Sequence, residues 1–151
     1  MVNLARSVSD CGHPRDGDRL LTEAYNVAMH APVKDYSVIG NILKTQAQSL
    51  VYRKRFREAE IRAREAVAAL SKSYGPNSYP VIMTMAEVAS SVAEQKRFQE
   101  AEPLLLEYLK KSIERDKADA FWRLARLYEL WGKKELSTKY EQLLAKQRSI
   151  H

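Results

Sequence analysis

The sequence predicts an all-α protein of stacked antiparallel helix hairpins, about seven helices in all. Three observations carry that expectation. A seven-residue segment recurs, the apolar residues around each copy keep helical spacing, and the few Gly and Pro residues fall mostly between the helical stretches. The segment Lys54-Arg55-Phe56-Arg57-Glu58-Ala59-Glu60 returns as Lys96-Arg97-Phe98-Gln99-Glu100-Ala101-Glu102, differing only at Arg57. The same offset, 42 residues from Phe56 to Phe98, pairs Asp35 with Asn77, Ile39 with Val81, Leu43 with Met85, Ala47 with Ala89 and Leu50 with Val92. A whole helix pair is therefore duplicated.

In chain order, residues 1–18 read as a flexible N-terminal segment, and the helical-repeat domain as residues 19–151. The first helix, about Arg19 to His30, carries Leu20, Leu21, Ala24, Tyr25 and Ala28 on one stripe. Ala24 precedes Ala66 by the repeat offset, so residues 19–30 read as the second half of a hairpin whose first helix is missing. A half-repeat leaves an apolar face uncovered at the end of a stack. Leu21 and Tyr25 are therefore candidate self-association residues, implying a homodimer or a place in a longer array. Val2, Leu4, Ala5 and Val8 offer an alternative cover.

The first complete unit, about residues 35–74, follows the junction Ala31-Pro32-Val33-Lys34-Asp35. Its first helix has Ile39, Ile42, Leu43, Ala47 and Leu50 on one stripe; its second has Phe56, Ala59, Ala63, Ala66, Val67 and Leu70. The second unit, about 77–114, follows Tyr74-Gly75-Pro76-Asn77-Ser78-Tyr79-Pro80, where Gly and Pro stop one helix and Asn77 or Ser78 can cap the next. Its stripes are Val81, Met85, Val88, Ala89 and Val92, then Phe98, Ala101, Leu104, Leu105, Tyr108 and Leu109. The third unit, about 117–148, has Phe121, Leu124, Ala125, Tyr128 and Trp131, then Gly132, then Leu136, Tyr140, Leu143 and Leu144. Small residues at Ala47, Ala59, Ala66, Ala89 and Ala101 permit close helix approach.

Ala47 to Ala59, Ala89 to Ala101 and Ala125 to Ser137 share a spacing of 12 residues, and Phe56 and Phe98 hold the turn position. With alternating helices, this pattern resembles the tetratricopeptide repeat, and the 42-residue units parted by Gly75-Pro76-Asn77 resemble its kinesin-light-chain variety. In the third unit Lys134 stands at the aromatic position and Ser137 at the alanine position. The resemblance implies a right-handed superhelical α-solenoid whose first helices line a concave groove, and a scaffold or adaptor role. Groove-facing positions are then Asn41, Lys44, Thr45, Gln48 and Tyr52; Met83, Ala86, Glu87 and Ser90; and Trp122, Arg123 and Arg126. Trp and Arg supply much of the energy of binding hot spots. Lys44, Arg123 and Arg126 suit a peptide or partner helix with acidic groups or a carboxylate.

Chemistry beyond binding finds little footing. His13, His30 and His151 are far apart; Cys11-Gly12-His13 offers two metal-ligand types but no second pair follows, so no metal or cofactor is expected. No phosphate-binding glycine loop is present. The pairs Glu58/Glu60 and Glu100/Glu102 read as first-turn residues that favour the helix dipole, not as acid–base pairs. A non-enzymatic module is the expectation. A lone Cys is compatible with a reducing compartment, here the cytoplasm, and no apolar run approaches the ~18–20 residues a membrane helix needs. Net charge is +6; residues 1–18 hold Arg6 and Arg15 against Asp10, Asp16 and Asp18, so the surplus lies on the repeats. That charge alone permits a basic RNA-binding solenoid, but Lys44, Ala86 and Trp122 occupy matched positions without a repeated base-reading residue, making nucleic acid the lesser expectation. A second basic cluster, Arg53, Lys54, Arg55, Arg57, Arg62 and Arg64, reads as a solvated face partly paired with Glu58, Glu60 and Glu65.

Overall fold

A computed structural model describes residues 14–149. The Cys11-Gly12-His13 pair, His151 and the apolar residues Val2, Leu4, Ala5 and Val8 lie outside them. Among the described residues the chain is all-helical: α1 Pro14–His30, α2 Tyr36–Tyr52, α3 Phe56–Tyr74, α4 Tyr79–Glu94, α5 Phe98–Lys111, α6 Lys117–Trp131 and α7 Lys134–Ser149, with a 3-10 turn at Glu114–Asp116. Two compact units are present, one ending at Glu87 and the other beginning at Val88, so α4 supplies residues to both. In the first, α1 packs on α2 and α2 on α3; in the second, α5 packs on α6 and α6 on α7. Consecutive packing of this kind is that of a helical-repeat stack.

Helix α1 begins at Pro14, ahead of the expected start at Arg19. Proline is well placed in a first turn, where its missing N–H had no partner to lose. Residues 14–18 thus form the first turns of the helix. Asp18 accepts a bond from Ser49 Oγ at 2.8 Å and pairs with Arg53, which ties α1 to the end of α2. The exposed apolar face expected at Leu21 is not found. Leu21 is 1% exposed and clusters with Ala24 and Ile42. Tyr25, half-buried, packs with Ala28 and Met29 against Ile39, Leu43, Ala66 and Ala69. The physical reason is that α1 has a single apolar stripe, and α2 and α3 already cover it. Arg19, Glu23, Asn26 and His30 are on its exposed side.

The repeated heptapeptide builds the same turn twice. After α2, Lys54 N–H donates to Val51 and Arg55 N–H to Leu50; after α4, Lys96 donates to Ala93 and Arg97 to Val92. This is the Schellman closure of a helix C-terminus, which needs a left-handed residue. Lys54 (φ 59°) and Lys96 (φ 63°) take that conformation. Arg55 and Arg97 then precede α3 and α5 and pair with Glu58 and Glu100 three residues on. The α6–α7 turn closes identically, Gly132 donating to Glu129 and Lys133 to Tyr128, with Gly132 at φ 75°. A side chain in the left-handed region costs roughly 1 kcal/mol that glycine avoids. Lys96→Gly is accordingly expected to raise stability by about 0.5–1 kcal/mol, the entropy of an added glycine offsetting part of the gain. A chemical-denaturation midpoint that falls in the variant would contradict this account.

The third unit holds together despite its departures. Ser137, 6% exposed, donates its hydroxyl to the Ala125 carbonyl at 3.2 Å, so the polar atom in the alanine position is bonded as α6 meets α7. Beside the turn, Lys133 lies over the Trp131 ring at 3.3 Å from its centroid, and Phe98 stacks on the same ring at 5.3 Å. At the far end of α7, Gln147 reaches back to Glu114 at 2.7 Å.

Candidate interaction faces

The first unit presents α2 and the opening turns of α4. Asn41, Lys44, Thr45 and Gln48 are half-buried, Tyr52 is 85% exposed and Met83 is at the margin of exposure. Ala86, expected in the groove, is fully buried; its methyl side chain is too short to leave the interface beneath it. Most polar groups here are already engaged. Asn41 donates to the Ser37 carbonyl, Thr45 to the Asn41 carbonyl, and Gln48 to Glu87 at 3.2 Å, bracing α2 to α4. Asp35 caps α2 by accepting from the Ser37 and Val38 amides. The Ser37 hydroxyl at 2.6 Å is the main cause that holds its carboxyl below the usual range, with the Val38 amide next.

In the second unit the face is made by the end of α4 and by α6. Arg123, expected as a groove cation, is only 11% exposed and is bonded internally: Nε–H donates to Asp119 at 2.7 Å and Nη1–H to Ser90 at 2.8 Å. Asp119 also accepts from the Tyr108 hydroxyl at 3.0 Å. Arg126 is spread between Glu94 of α4 and Glu129 of α6, both at 2.9 Å. The Glu94 bond is the main reason its guanidinium holds its proton more tightly than usual; burial opposes this and Glu129 adds to it. Both arginines thus brace α6 to α4. Trp122 sits on the same side of α6, three residues from Asp119 and four from Arg126, and is 51% exposed. Other rings of this unit pack among themselves, Tyr128 stacked with Trp131 and Tyr140, and Phe121 tilted against Tyr140.

Behind that face, the Tyr128 hydroxyl donates to Glu102 at 2.7 Å. Burial first, then this bond, raises its pKa; Tyr140 is raised by burial and then by the Glu102 charge. Both shifts mean that the folded state keeps phenolic protons that the unfolded chain releases. The associated stability is full below the unfolded tyrosine value of about 10 and is lost as pH rises through the folded values. Thermal melts at increasing alkalinity should show this decline, and a Tyr128→Phe/Tyr140→Phe variant should flatten it. An unchanged slope in the variant would exclude these phenols as its source.

A feature the sequence did not announce is a cleft of about 340 Å³ in the first unit, between α1 and α3 with α2 as its floor. Leu50 and the 52%-exposed Ile61 supply its apolar surface, and the buried Gln46 Oε1 has no bonding partner. Its charged rim is paired locally, Arg55 at the N-cap of α3 with Glu58, and Arg62 with Glu65 within the helix. Ile61, an apolar residue off the α3 stripe, is the sequence signal from which it could be found. The basic cluster around it is largely paired too, Arg53 with Asp18 and Arg64 with Glu60. Among the described residues no group of three or more His, Cys, Asp or Glu could hold a metal ion, and no helix is long and apolar enough to cross a membrane. The chain matches no protein-family model and no curated protein.

Proposed function

We propose that this chain is a non-enzymatic, tetratricopeptide-type interaction module that takes a peptide or partner helix on the exposed faces of its first-type helices. The observation that carries the reading is Trp122: a residue type that dominates binding hot spots stands half in solvent on α6, while the neighbouring rings are stacked away. Tyr52, 85% exposed on α2, is a second anchor of the same kind. Anchors of this type bury large apolar area with little loss of side-chain freedom. The braced polar groups beside each anchor hold the face of its own unit in shape before a partner arrives, which lowers the ordering cost of binding.

A library of random peptides displayed on phage, selected against the full chain, should yield binders, and a Tyr52→Ala/Trp122→Ala variant should lose them. Binders retained at equal affinity by that variant would remove the basis for the reading. The buried Leu21 and half-buried Tyr25 give no support to self-association through those residues.

A further inference from the structure

Resting on that reading, we infer that the segment taken by the α4–α6 face of the second unit is cationic: it presents a lysine or arginine beside an apolar residue, and not an acidic group. A partner carboxylate would need a guanidinium with charge to spare, and those of Arg123 and Arg126 are already paired with carboxylates of this face. Arg123 serves Asp119 and Ser90; Arg126 serves Glu94 through two nitrogens, at 2.9 and 3.4 Å, and Glu129 through a third. An acidic side chain would have to share these guanidiniums with Asp119, Glu94 and Glu129 and would meet the repulsion of those carboxylates.

The acceptor side is the opposite. Three carboxylates, Glu94, Asp119 and Glu129, share two guanidiniums, so this face carries a net −1 within a chain of net charge +6. A carboxylate has about four lone-pair sites, and the Glu129 and Asp119 side chains are 63% and 42% exposed, open to a further donor. Trp122 adds the face of an indole three residues from Asp119. A cation that pairs with Asp119 comes to the side of α6 that carries this ring one turn on, and an indole face attracts cations. The same pairing already occurs inside the unit, where Lys133 lies over Trp131. An apolar residue next to the cation then covers the rest of the exposed indole.

The displayed peptide library tests this, because its sequence content and the variants read different things. At physiological salt, peptides enriched on the full chain should carry Lys or Arg next to Trp, Phe or Leu. Their affinity should fall about tenfold or more on Trp122→Ala and again on Glu129→Lys, with Glu129→Gln intermediate. The global charge works against this result, since a basic chain draws acidic peptides non-specifically. Enrichment of acidic peptides that bind Glu129→Lys more tightly, yet are lost on Trp122→Ala, would overturn the cationic assignment and leave the interaction reading standing. Binders indifferent to Trp122→Ala would overturn the cationic assignment, and binders indifferent to Tyr52→Ala/Trp122→Ala, or no enrichment at all, would overturn both. Trp122 and Glu129 are exposed, and an unchanged circular-dichroism melt confirms that each variant is folded.

Discussion

Leu70→Ala is expected to destabilise the first unit by about 2–5 kcal/mol and Gly40→Ala by about 1–3 kcal/mol, yet the two together should cost clearly less than their sum. Gly40 is a buried residue of α2, and Leu70 of α3 is 1% exposed. A Cβ placed on Gly40 would lie 2.6 Å from Leu70 Cγ, 2.7 Å from Cδ2 and 3.2 Å from its backbone nitrogen. In an unconstrained helix the same change would gain about 1 kcal/mol of helix propensity. Here the buried leucine has nowhere to withdraw to, so the clash decides the sign. Removing the Leu70 branch empties that space, and Gly40→Ala in the Leu70→Ala background regains part of its propensity benefit. Urea denaturation of the four proteins of the cycle measures the coupling. Additive losses would mean that α2 and α3 do not meet at this point as closely as the structure has them.

That contact shows where sequence reading stops. The stripe Ile39, Ile42, Leu43 and Ala47 is legible because burial on one side of a helix repeats at the helical period, and all four are buried. Gly40 next to them looks like a weakness in a helix, since nothing local announces a leucine thirty residues on. The heptapeptide around Phe56 and Phe98 is legible as a repeat, but its meaning lies in backbone angles. A lysine gives no sign that it will take a positive φ, and Gly132 at the matching turn gives the clue only in retrospect. The start of α1 is hidden because Arg15, Asp16, Gly17 and Asp18 read as a polar tail, while the partner that anchors Asp18 is Arg53, at the C-cap of α2. Leu21 reads as open because a stripe in sequence does not say how many neighbours share it. Trp122 was visible as an aromatic off the buried stripe. The engagement of Arg123 and Arg126 was half visible, since Asp119 and Glu129 lie one helical turn away, whereas Ser90 and Glu94 come from α4.

That engagement separates a brace from a binding residue. Arg123→Met is expected to lower the stability of the second unit by about 2 kcal/mol, and Arg126→Met by less than about 1 kcal/mol. Methionine retains most of the packing of the arginine stem, so the difference reports the guanidinium. The Arg123 side chain is 11% exposed, and its loss takes one donor from Asp119 and another from Ser90. Asp119 keeps the Tyr108 hydroxyl and is 42% exposed, so water relieves part of the loss and the cost stays below that of a fully buried pair. The Arg126 side chain is 42% exposed, and its pair with Glu129 lies at the surface, where such contacts contribute little. Denaturation midpoints of the two variants give the order directly. If Arg123→Met were as mild as Arg126→Met, the Arg123 guanidinium would be dispensable to the fold and free to meet a partner's carboxylate, and the cationic assignment would lose its main support.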